Sequence, residues 1–466
     1  MYVLAKTHFL FEKGNMSIPH DIMISISGIR GKIPGSFTPQ LAGAFAYAFA
    51  QTLPPGPIVV SRDSRASGGV LKKAVIDALA NAGRTVLDAD LSTLPTTQFV
   101  VVSYKAAGGI DITASHNPIE WNGLKLFGPD GIYIHKKALD ALVTDVTQND
   151  QPVVKTTDNK DIITDIHTNA EKRHRESLRP MIIPGKRLRI AVDAVNGAGS
   201  YIIPHFLDEC GCDVISLATD PTQPFPHTPE PTPKNLVWTK RALKNIAYDL
   251  CIVVDPDADR LLFIDEKGRL LSEEMTLPLV LLELCVRGDT GPIVVNMSTS
   301  RMIEDIARAH VCVVYRAAVG ELNIIDMMKK HRAFFGGEGN GGVIYPRHHY
   351  GRDSLIGILN VINCMRRTNK PLSRLADELP HYDMMKEKVT IGDRGALPHI
   401  YTSLINAFPQ GTVNEIDGLR IDFDDAWVHI RPSNTEPCMR IIAEARSVKK
   451  VSHLMKSVHA VVDVYV

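Results

Sequence analysis

The chain contains, at positions 112–118, the stretch Ile112-Thr113-Ala114-Ser115-His116-Asn117-Pro118. A strand-like run, Gly109 to Ile112, leads into it, and Asn-Pro favours a turn directly afterwards. The pattern predicts that the hydroxyl of Ser115, with the imidazole of His116 beside it in the sequence, stands at the tip of a strand, exposed to a cleft rather than packed. Ser-His-Asn-Pro is also ordinary turn chemistry, so the stretch alone leaves a purely structural role open.

A second strand is expected just after this turn. Asn122-Gly123-Leu124-Lys125-Leu126-Phe127 is typical of an Asn-Gly hairpin that enters a strand. Such a hairpin would bring Lys125 back beside Ser115.

The order strand, helix, strand occurs three times along the chain. Apolar strands at 57–63, 188–193 and 292–296 are each followed by a helical stretch and another strand. Apolar strands that alternate with helices are typical of parallel sheets covered on both faces. The repeat predicts three tandem βαβ-type domains.

The C-terminal part has a different pattern. From about His381, a helix at 398–408 precedes two alternating strands at 418–423 and 426–430, which favours an α+β layer of antiparallel strands. The chain is therefore predicted to be an α/β protein whose three tandem domains precede a smaller α+β domain. The predicted divisions are an N-terminal extension at 1–15 and domains at 16–158, 159–267, 268–375 and 376–466.

Composition excludes several classes of protein. The 466 residues include 52 Lys plus Arg and 52 Asp plus Glu, so no net charge would attract nucleic acid or an anionic membrane. The apolar run at 41–50 is too short to span a bilayer, and no leader pattern precedes it. The seven cysteines are scattered without zinc-site spacing, which indicates a reduced, cytoplasmic protein. The oligomeric state cannot be inferred from these patterns.

An acidic loop follows the apolar strand at 250–254. Asp255-Pro256-Asp257-Ala258-Asp259-Arg260 places three carboxylates at alternating positions, where they can converge on a hard cation such as Mg²⁺. Arg260 would offer a further contact to a phosphate. The alternative is a solvated acidic loop.

A glycine-rich loop occupies positions 336–342. Its glycines satisfy the Rossmann dinucleotide pattern, but Val343-Ile344-Tyr345-Pro346 follows and no helix is expected there. We interpret the loop as presenting Glu338 and Asn340 to sugar hydroxyls. The alternative is a plain glycine hairpin.

A fourth polar loop reads Arg431-Pro432-Ser433-Asn434-Thr435-Glu436-Pro437. Its guanidinium, hydroxyls, amide and backbone N–H groups suit a phosphate dianion. Ser-Asn-Thr could also merely cap a turn. The four loops together indicate a phosphoryl-transfer enzyme with a serine carrier, one metal ion and an anchor for a second phosphate.

With these motifs, the chain resembles the α-D-phosphohexomutase superfamily, which comprises phosphoglucomutases, phosphomannomutases and phosphoglucosamine mutases. The resemblance runs from about Ser25 to the C-terminus. Its motifs occur here in order, as Ser27-Gly28-Ile29-Arg30-Gly31 followed by the serine, acidic, glycine-rich and phosphate loops.

The resemblance implies an isomerase, an intramolecular phosphotransferase whose domains surround a central cleft. It would interconvert hexose 6-phosphate and hexose 1-phosphate through a phosphoserine and a bisphosphate intermediate, with hexose 1,6-bisphosphate as activator. The implied catalytic residues are Ser115, His116, Lys125 and Arg30. The implied Mg²⁺ ligands are Ser115, Asp255, Asp257 and Asp259. We expect Arg30 and Arg260 to lower the pKa of Lys125, so that it can act as general acid or base.

The resemblance also implies a set of substrate-binding residues. They are Arg30, Arg260, Gly320, Glu338, Asn340, Arg431, Ser433, Asn434 and Thr435. The loop at 316–321 is similar to that of phosphoglucosamine mutases and also to that of some phosphoglucomutase/phosphomannomutase relatives. Glucosamine phosphate is the expected substrate, with glucose and mannose phosphates as close alternatives. A serine-dependent phosphatase and an inactive sugar-phosphate-binding relative are remoter alternatives.

The glycine-rich loop departs from the family pattern. Many members have Glu-x-Ser-Gly-His, whereas Gly342 stands here in place of the histidine. We hypothesise that His348 or His349 partly takes over its acid–base role. The alternative is that both are exposed loop histidines.

Overall fold

The structure, a computed structural model, describes residues 17–149, 160–391, 394–433 and 438–465. The chain divides into two compact units. The first contains the residues up to Leu271 together with Ile344–Leu372, and the second contains Ser272–Val343 and the residues from Ser373 onward. In the described ranges, no helix combines the length and the apolar character needed to cross a bilayer.

The N-terminal part of the first unit is a mixed sheet covered by helices. Its elements are β1 (Met23–Ser25), β2 (Gly28–Lys32), α1 (Pro39–Thr52), β3 (Ile58–Arg62), α2 (Gly68–Asn81), β4 (Val86–Leu91), α3 (Leu94–Ser103), β5 (Gly108–Ile112), β6 (Trp121–Phe127), α4 (Lys136–Gln148), β7 (Ile163–Asp165) and α5 (His167–Leu178). The strands pair in the order β1-β2-β6-β5-β3-β4-β7. Apolar residues of α1, α2 and α4 pack against this sheet.

Only part of this sheet is parallel, in contrast to the sequence prediction. β5, β3, β4 and β7 pair in parallel, whereas β6, β2 and β1 pair antiparallel. The connection between β5 and β6, residues 113–120, is shorter than the dozen or so residues that a parallel crossover needs. The chain must therefore turn straight back at the serine loop.

The predicted Asn-Gly hairpin is wrong, because Asn122 and Gly123 lie inside β6. Gly123 pairs with Arg30 of β2, and a Cβ at Gly123 would collide with the carbonyl oxygen of Ile29. The glycine is thus required by the close approach of β2 and not by a turn.

The next segment of the first unit forms a second sheet. Its elements are β8 (Arg189–Asp193), α6 (Gly199–Glu209), β9 (Asp213–Ala218), α7 (Val237–Ala242), β10 (Leu250–Val254) and β11 (Leu261–Asp265). The strands pair in the order β11-β10-β8-β9. The pairs among β10, β8 and β9 are parallel, and β11 returns antiparallel to β10 directly after the acidic loop.

A third set of elements starts the second unit and returns to the first. It consists of α8 (Thr276–Val286), β12 (Pro292–Asn296), α9 (Met302–Ala309), β13 (Val313–Ala317), α10 (Glu321–His331), β14 (Phe335–Glu338), β15 (Gly342–Tyr345), β16 (His349–Arg352), α11 (Ser354–Thr368) and α12 (Leu372–Asp377). β12 pairs in parallel with β13 and β14. β15 spans the boundary between the units and pairs antiparallel with β16. A strand and not a helix follows the glycine-rich loop, as predicted.

The C-terminal elements of the second unit form an antiparallel sheet. They are β17 (Asp383–Thr390), α13 (Leu397–Ala407), β18 (Thr412–Asn414), β19 (Leu419–Asp422), β20 (Ala426–Pro432), β21 (Cys438–Ala445) and α14 (Val448–Val462), and the strand order is β17-β21-β20-β19-β18. α13 and α14 pack their apolar residues on this sheet. The predicted α/β fold with a smaller α+β C-terminal part is confirmed, while the exact domain boundaries remain a prediction.

Candidate active site

Ser115 lies in the turn after β5, with a backbone φ of 50° and 3% of its surface exposed. A positive φ is uncommon outside glycine and costs about 1–3 kcal/mol, so surrounding contacts must hold this conformation. The Ser115 hydroxyl donates a 2.8 Å hydrogen bond to Oδ2 of Asp255, and it lies 3.3 Å from Nδ1 of His116. The structure therefore brings the predicted nucleophile against the acidic loop, where it is almost fully buried; the sequence analysis predicted a hydroxyl exposed to a cleft.

Arg65 holds the serine turn in place. Its guanidinium donates hydrogen bonds to the backbone carbonyls of Ser115 at 2.6 Å, Asn117 at 2.7 Å and Pro118 at 2.7 Å. It is also paired at 2.9 Å with Asp63, and neither side chain has any exposed surface. The turn geometry thus depends on a buried arginine that the sequence patterns did not single out.

The three aspartates of the acidic loop, Asp255, Asp257 and Asp259, are fully buried at the end of β10. One carboxylate oxygen from each lies within 4.8 Å of the others. Oδ1 of Asp257 and Oδ1 of Asp259 have no hydrogen-bond partner among the described residues. Buried carboxylate oxygens without donors are costly, and a hard cation such as Mg²⁺ is the partner that this all-oxygen donor set fits.

The pKa values of two carboxyl groups in this loop are shifted in opposite directions. Burial, together with the neighbouring charges of Asp257 and Asp259, raises the pKa of Asp255 well above its usual range. Burial also opposes the ionisation of Asp259, but Arg352 and Lys125 lower the pKa of Asp259 to about 2. A cation bound to the loop would offset the charge that makes Asp255 hard to ionise.

Lys125 contacts the acidic loop directly. Its ammonium group donates a 2.7 Å hydrogen bond to Asp257 Oδ2 and lies 3.4 Å from Asp259 Oδ2. Burial disfavours the charged ammonium, yet the two carboxylates outweigh burial and raise the pKa of Lys125 above its usual value. The charge of Arg30 does lower this pKa, as expected, but the carboxylates outweigh it, so the expected net lowering is wrong and Lys125 holds its proton in the metal-free protein.

Arg352 on β16 is a site residue that the sequence analysis missed. Its guanidinium donates a 2.6 Å hydrogen bond to Oδ2 of Asp259, which lies 93 residues earlier in the chain. No local spacing rule links two residues so far apart. The sequence Gly351-Arg352-Asp353, a glycine followed by two charged residues, is the local pattern that could have marked Arg352 as a candidate site residue.

The other two predicted arginines flank the serine turn. Arg30 donates a 2.8 Å hydrogen bond to Oδ1 of Asn117. The backbone N–H of Arg260 donates to Oδ1 of Asp255 at 3.2 Å. Burial, with Arg260 and Arg30 adding their positive charges, lowers the pKa of His116 well below its usual value, so its imidazole is neutral.

In the second unit, Glu338 ends β14 with 5% of its surface exposed. Its Oε1 accepts hydrogen bonds from the backbone N–H of Gly320 at 3.1 Å and from the side-chain amide of Asn296 at 3.2 Å. The side-chain amide of Asn340 lies 3.5 Å from Oε2 of Glu338. The predicted residues Glu338, Asn340 and Gly320 are thus brought together.

Arg431 and Ser433, also in the second unit, are largely buried at the end of β20. Arg431 lies 3.2 Å from Asp417, whose carboxylate accepts a 2.9 Å hydrogen bond from the backbone N–H of Val319. Asn434 and Thr435 lie outside the described residues.

His348 and His349 are not exposed loop histidines, because only 7% and 6% of their side-chain surfaces are accessible. Both approach the carboxylate of Asp353 within the first unit. The hypothesis that one of them substitutes for the histidine missing at Gly342 is not supported by any contact among the described residues.

Comparison with known families extends over nearly the whole chain. Four models of phosphoglucomutase/phosphomannomutase domains match it, namely alpha/beta/alpha domain I at residues 23–153, domain II at 173–268, domain III at 275–382 and the C-terminal domain at 392–461.

Similar curated proteins carry two kinds of name. A phosphoglucomutase/phosphomannomutase of Thermococcus kodakarensis is 34% identical over 453 residues, which cover 92% of this chain and 96% of that protein. A probable phosphoglucosamine mutase of Methanopyrus kandleri is 32% identical over 432 residues, covering 92% and 95%.

Solved structures share the fold. A phosphoglucomutase/phosphomannomutase family protein from Burkholderia thailandensis has a TM-score of 0.82 at 24% identity, covering 95% of this chain and 98% of that one. An N-acetylphosphoglucosamine mutase of Aspergillus fumigatus, solved with GlcNAc-6P and magnesium, has a TM-score of 0.64 at 15% identity, covering 97% of both chains.

Proposed function

Because the chain belongs to the phosphoglucomutase/phosphomannomutase family and is a phosphohexomutase, we propose that it moves a phosphoryl group between Ser115 and the 1- and 6-hydroxyls of a hexose. The observation that carries the proposal is the 2.8 Å hydrogen bond from Ser115 to Asp255, beside two buried carboxylate oxygens without partners. This arrangement suits a phosphoserine held next to a cation.

Ser115, Asp255, Asp257 and Asp259 would hold Mg²⁺. When bound, Mg²⁺ would offset the negative charge on the transferring phosphoryl group. Oδ1 of Asp257 and Oδ1 of Asp259 support this assignment, because both are buried without a hydrogen-bond donor among the described residues and a bound cation would stabilise them.

Proton transfer would be carried out by Lys125, and His116 would orient the serine oxygen. Lys125 carries its proton in the metal-free protein, which suits a general acid for the serine oxygen as the phosphoryl group leaves. The same group, once deprotonated, would serve as the base in the return step. His116 is neutral, and its lowered pKa makes it a weak base; its Nδ1, 3.3 Å from Oγ of Ser115, would orient the serine oxygen rather than take its proton.

The remaining predicted residues would bind the substrate. Arg30 and Arg260 would contact the reacting phosphate, and Gly320, Glu338 and Asn340 would bind sugar hydroxyls. The other phosphate would be held by Arg431, Ser433, Asn434 and Thr435. The sugar bisphosphate would turn over in the site, so that either of its phosphates can reach Ser115. Added hexose 1,6-bisphosphate would therefore phosphorylate Ser115 and act as an activator.

We assign glucosamine phosphate as the preferred substrate. The probable phosphoglucosamine mutases among the similar proteins support this choice, and the loop at 316–321, which resembles those of both subfamilies, is compatible with it. The relative named phosphoglucomutase/phosphomannomutase supports glucose or mannose phosphate as the alternative. An exchange of one hydroxyl for an amine at C2 is a small change, so activity on both is expected.

Two further parts of the proposal concern the chain as a whole. The domains are proposed to be 16–158, 159–267, 268–375 and 376–466. A cytoplasmic location is supported by the seven cysteines, which are scattered along the chain and mostly buried.

The proposed function is tested by phosphorus NMR with Mg²⁺ and a trace of glucose 1,6-bisphosphate. Glucosamine, glucose and mannose 6-phosphates are offered separately, and we expect the glucosamine 1-phosphate signal to grow fastest. Ser115→Ala should form no 1-phosphate from any of them. If the wild type forms none either, the mutase assignment is wrong, and release of inorganic phosphate instead would identify a phosphatase.

A further inference from the structure

A second cluster of metal-binding side chains lies in the first unit, outside the proposed catalytic residues. This histidine cluster consists of His174 on α5, His348 and His349 at the start of β16, and Asp353 just before α11. The accessible fractions of these four side chains are 0%, 7%, 6% and 1%. Three imidazoles and a carboxylate thus converge in the protein interior.

The spacing of the cluster fits one tetrahedral ion. Oδ2 of Asp353 lies 3.0 Å from Nε2 of His174, 3.1 Å from Nε2 of His349 and 3.7 Å from Nδ1 of His348. One potential ligand atom from each of the four residues lies within 4.8 Å of those of the others. Ligands about 2.0–2.1 Å from a tetrahedral Zn²⁺ are about 3.3 Å apart. The observed separations lie on both sides of that value.

One imidazole nitrogen of the cluster makes no hydrogen bond with the described residues. Nδ1 of His348 is buried and has no hydrogen-bond partner among the described residues. It points towards the Asp353 oxygen, at a distance too long for a hydrogen bond. An unpaired buried nitrogen at this position is accounted for if its lone pair is directed at a cation.

The outer nitrogens of two imidazoles are already held by hydroxyl groups. Nδ1 of His174 lies 2.9 Å from Oγ1 of Thr96, and Nε2 of His348 lies 2.6 Å from Oγ of Ser177. Such partners fix the orientation and tautomer of metal-bound histidines. In both rings, the nitrogen left for the metal is the one that faces the cluster.

Two further contacts make the cluster rigid. Phe99 stacks on the rings of His174 and His348, with centroid separations of 5.1 and 4.9 Å. Oδ1 of Asp353 accepts a 2.9 Å hydrogen bond from the backbone N–H of Leu355 and so caps α11, which leaves Oδ2 for the cluster.

We propose that the histidine cluster is a structural site for Zn²⁺ or a similar late transition-metal ion. Three imidazole nitrogens and one carboxylate oxygen form a closed tetrahedral set that prefers Zn²⁺, whereas the all-oxygen acidic loop prefers Mg²⁺. The ion ties α5 to β16 and α11. Because Arg352, the partner of Asp259, directly precedes Asp353, the ion also fixes the strand that carries this arginine.

The proposal is tested by cobalt spectroscopy on the full-length chain, stripped of metal and supplied with excess Mg²⁺ to occupy the acidic loop. One equivalent of Co²⁺ should produce the visible absorption bands of a tetrahedral site. One equivalent of Zn²⁺ should remove them, since Zn²⁺ binds such sites more tightly than Co²⁺. Absence of the bands from the wild type would overturn the proposal.

Variants locate the ion. His348→Gln and Asp353→Asn should lose the bands, and Ser177→Ala should weaken binding by about 10–100-fold. His381→Gln, at a histidine with 74% of its side chain exposed, is the matched control and should keep them. Asp255→Asn should keep them as well, which separates this site from the acidic loop and from the mutase assignment. Bands that survive in His348→Gln and Asp353→Asn would contradict the proposal.

If a variant fails to fold, X-ray absorption at the zinc edge of the wild-type protein can still identify the ligands of the ion. The wild-type protein loaded with Zn²⁺ should show imidazole shells with first-neighbour distances of about 2.0–2.1 Å. A spectrum with oxygen neighbours alone would overturn the assignment and leave the cluster a hydrogen-bonded network.

Discussion

The guanidinium of Arg65 donates a 2.6 Å hydrogen bond to the backbone carbonyl of Ser115, the residue with the strained φ. The proposed nucleophile is therefore held through its backbone by a buried cation. The geometry of the serine turn and the stability of the first unit should depend on the same side chain.

Replacing Arg65 should affect stability and phosphorylation together. Arg65→Met leaves Asp63 buried without its partner, which we expect to lower the free energy of unfolding by about 3–5 kcal/mol. The fraction of Ser115 that is phosphorylated by the bisphosphate, measured by intact-protein mass spectrometry, should also fall.

Arg84→Met is the matched control. Arg84 also donates to three backbone carbonyls, those of Ala50, Leu53 and Pro54, but it lies in the connection between α2 and β4 and binds the C-terminal end of α1 and the residues after it. It should leave phosphorylation unchanged. Equal loss of phosphoserine in both variants would show that Arg65 has no special relation to the serine turn.

Replacing Lys125 should separate metal binding from turnover. Lys125→Met removes the cation that shares Asp257 and Asp259 with the metal, so Mg²⁺ should bind more tightly, by about tenfold or more in calorimetry. Turnover should nevertheless fall by about 10²–10⁴-fold, because a proton donor is lost. Lys72→Met, at an ion pair with Asp88 and Asp90, is the control and should change neither. Weaker Mg²⁺ binding by Lys125→Met would refute the competition.

His429 should make the second unit sensitive to acid. Burial, with Arg420 and Arg431 nearby, lowers the pKa of His429 from 6.5 to about 4. The unfolded chain therefore takes up a proton before the folded one does, so the stabilisation present above pH 6.5 is lost as the pH falls towards 4, by roughly 3 kcal/mol in all.

The test compares melting temperatures at pH 7 and pH 5. His429→Gln keeps a polar group for Ser298 but cannot titrate, so its melting temperature should fall less between the two pH values than that of the wild type. His381→Gln should behave like the wild type. An identical pH response in all three proteins would rule out His429 as the source.

Gly123 should not tolerate a side chain. Gly123→Ala drives a methyl group into the backbone of Ile29 and so disturbs the pairing of β6 with β2, which carries Arg30. We expect a loss of roughly 1–3 kcal/mol in unfolding free energy, measured by denaturant titration. Gly69→Ala is the control, since no atom lies within 4 Å of its added methyl group and the position is helical. If both variants are equally stable, the close approach of β2 has no energetic consequence.

Features could be predicted from the sequence where the residues that form them are neighbours along the chain. The acidic loop could be predicted because its carboxylates alternate directly after an apolar strand, and the repeat of apolar strands and helices predicted the fold. The register of β6 could not be predicted, because Asn-Gly suits a turn and a close strand contact equally well.

Contacts between distant parts of the chain left no local pattern. Arg65 contacts Ser115 from the loop between β3 and α2, and Arg352 contacts Asp259 from β16; in the sequence, an isolated arginine resembles a surface residue. The pKa of Lys125 was predicted with the wrong sign for a similar reason. The arginines were visible as neighbours, but the direct pairing with Asp257 emerged only from the fold.

The compact units cut across the third family domain, since residues 344–372 pack with the N-terminal part of the chain although they match the same domain model as residues 275–343. A chimaera that exchanges residues 275–382 for those of a relative would therefore replace Arg352, the partner of Asp259, together with the glycine-rich loop at 336–342. Transplanting only residues 272–343 would alter Glu338 and Asn340 while keeping Arg352 native. Exchange of substrate specificity between homologues should thus succeed when the crossover lies inside β15, after Val343, and fail when it lies at the borders of the family domain.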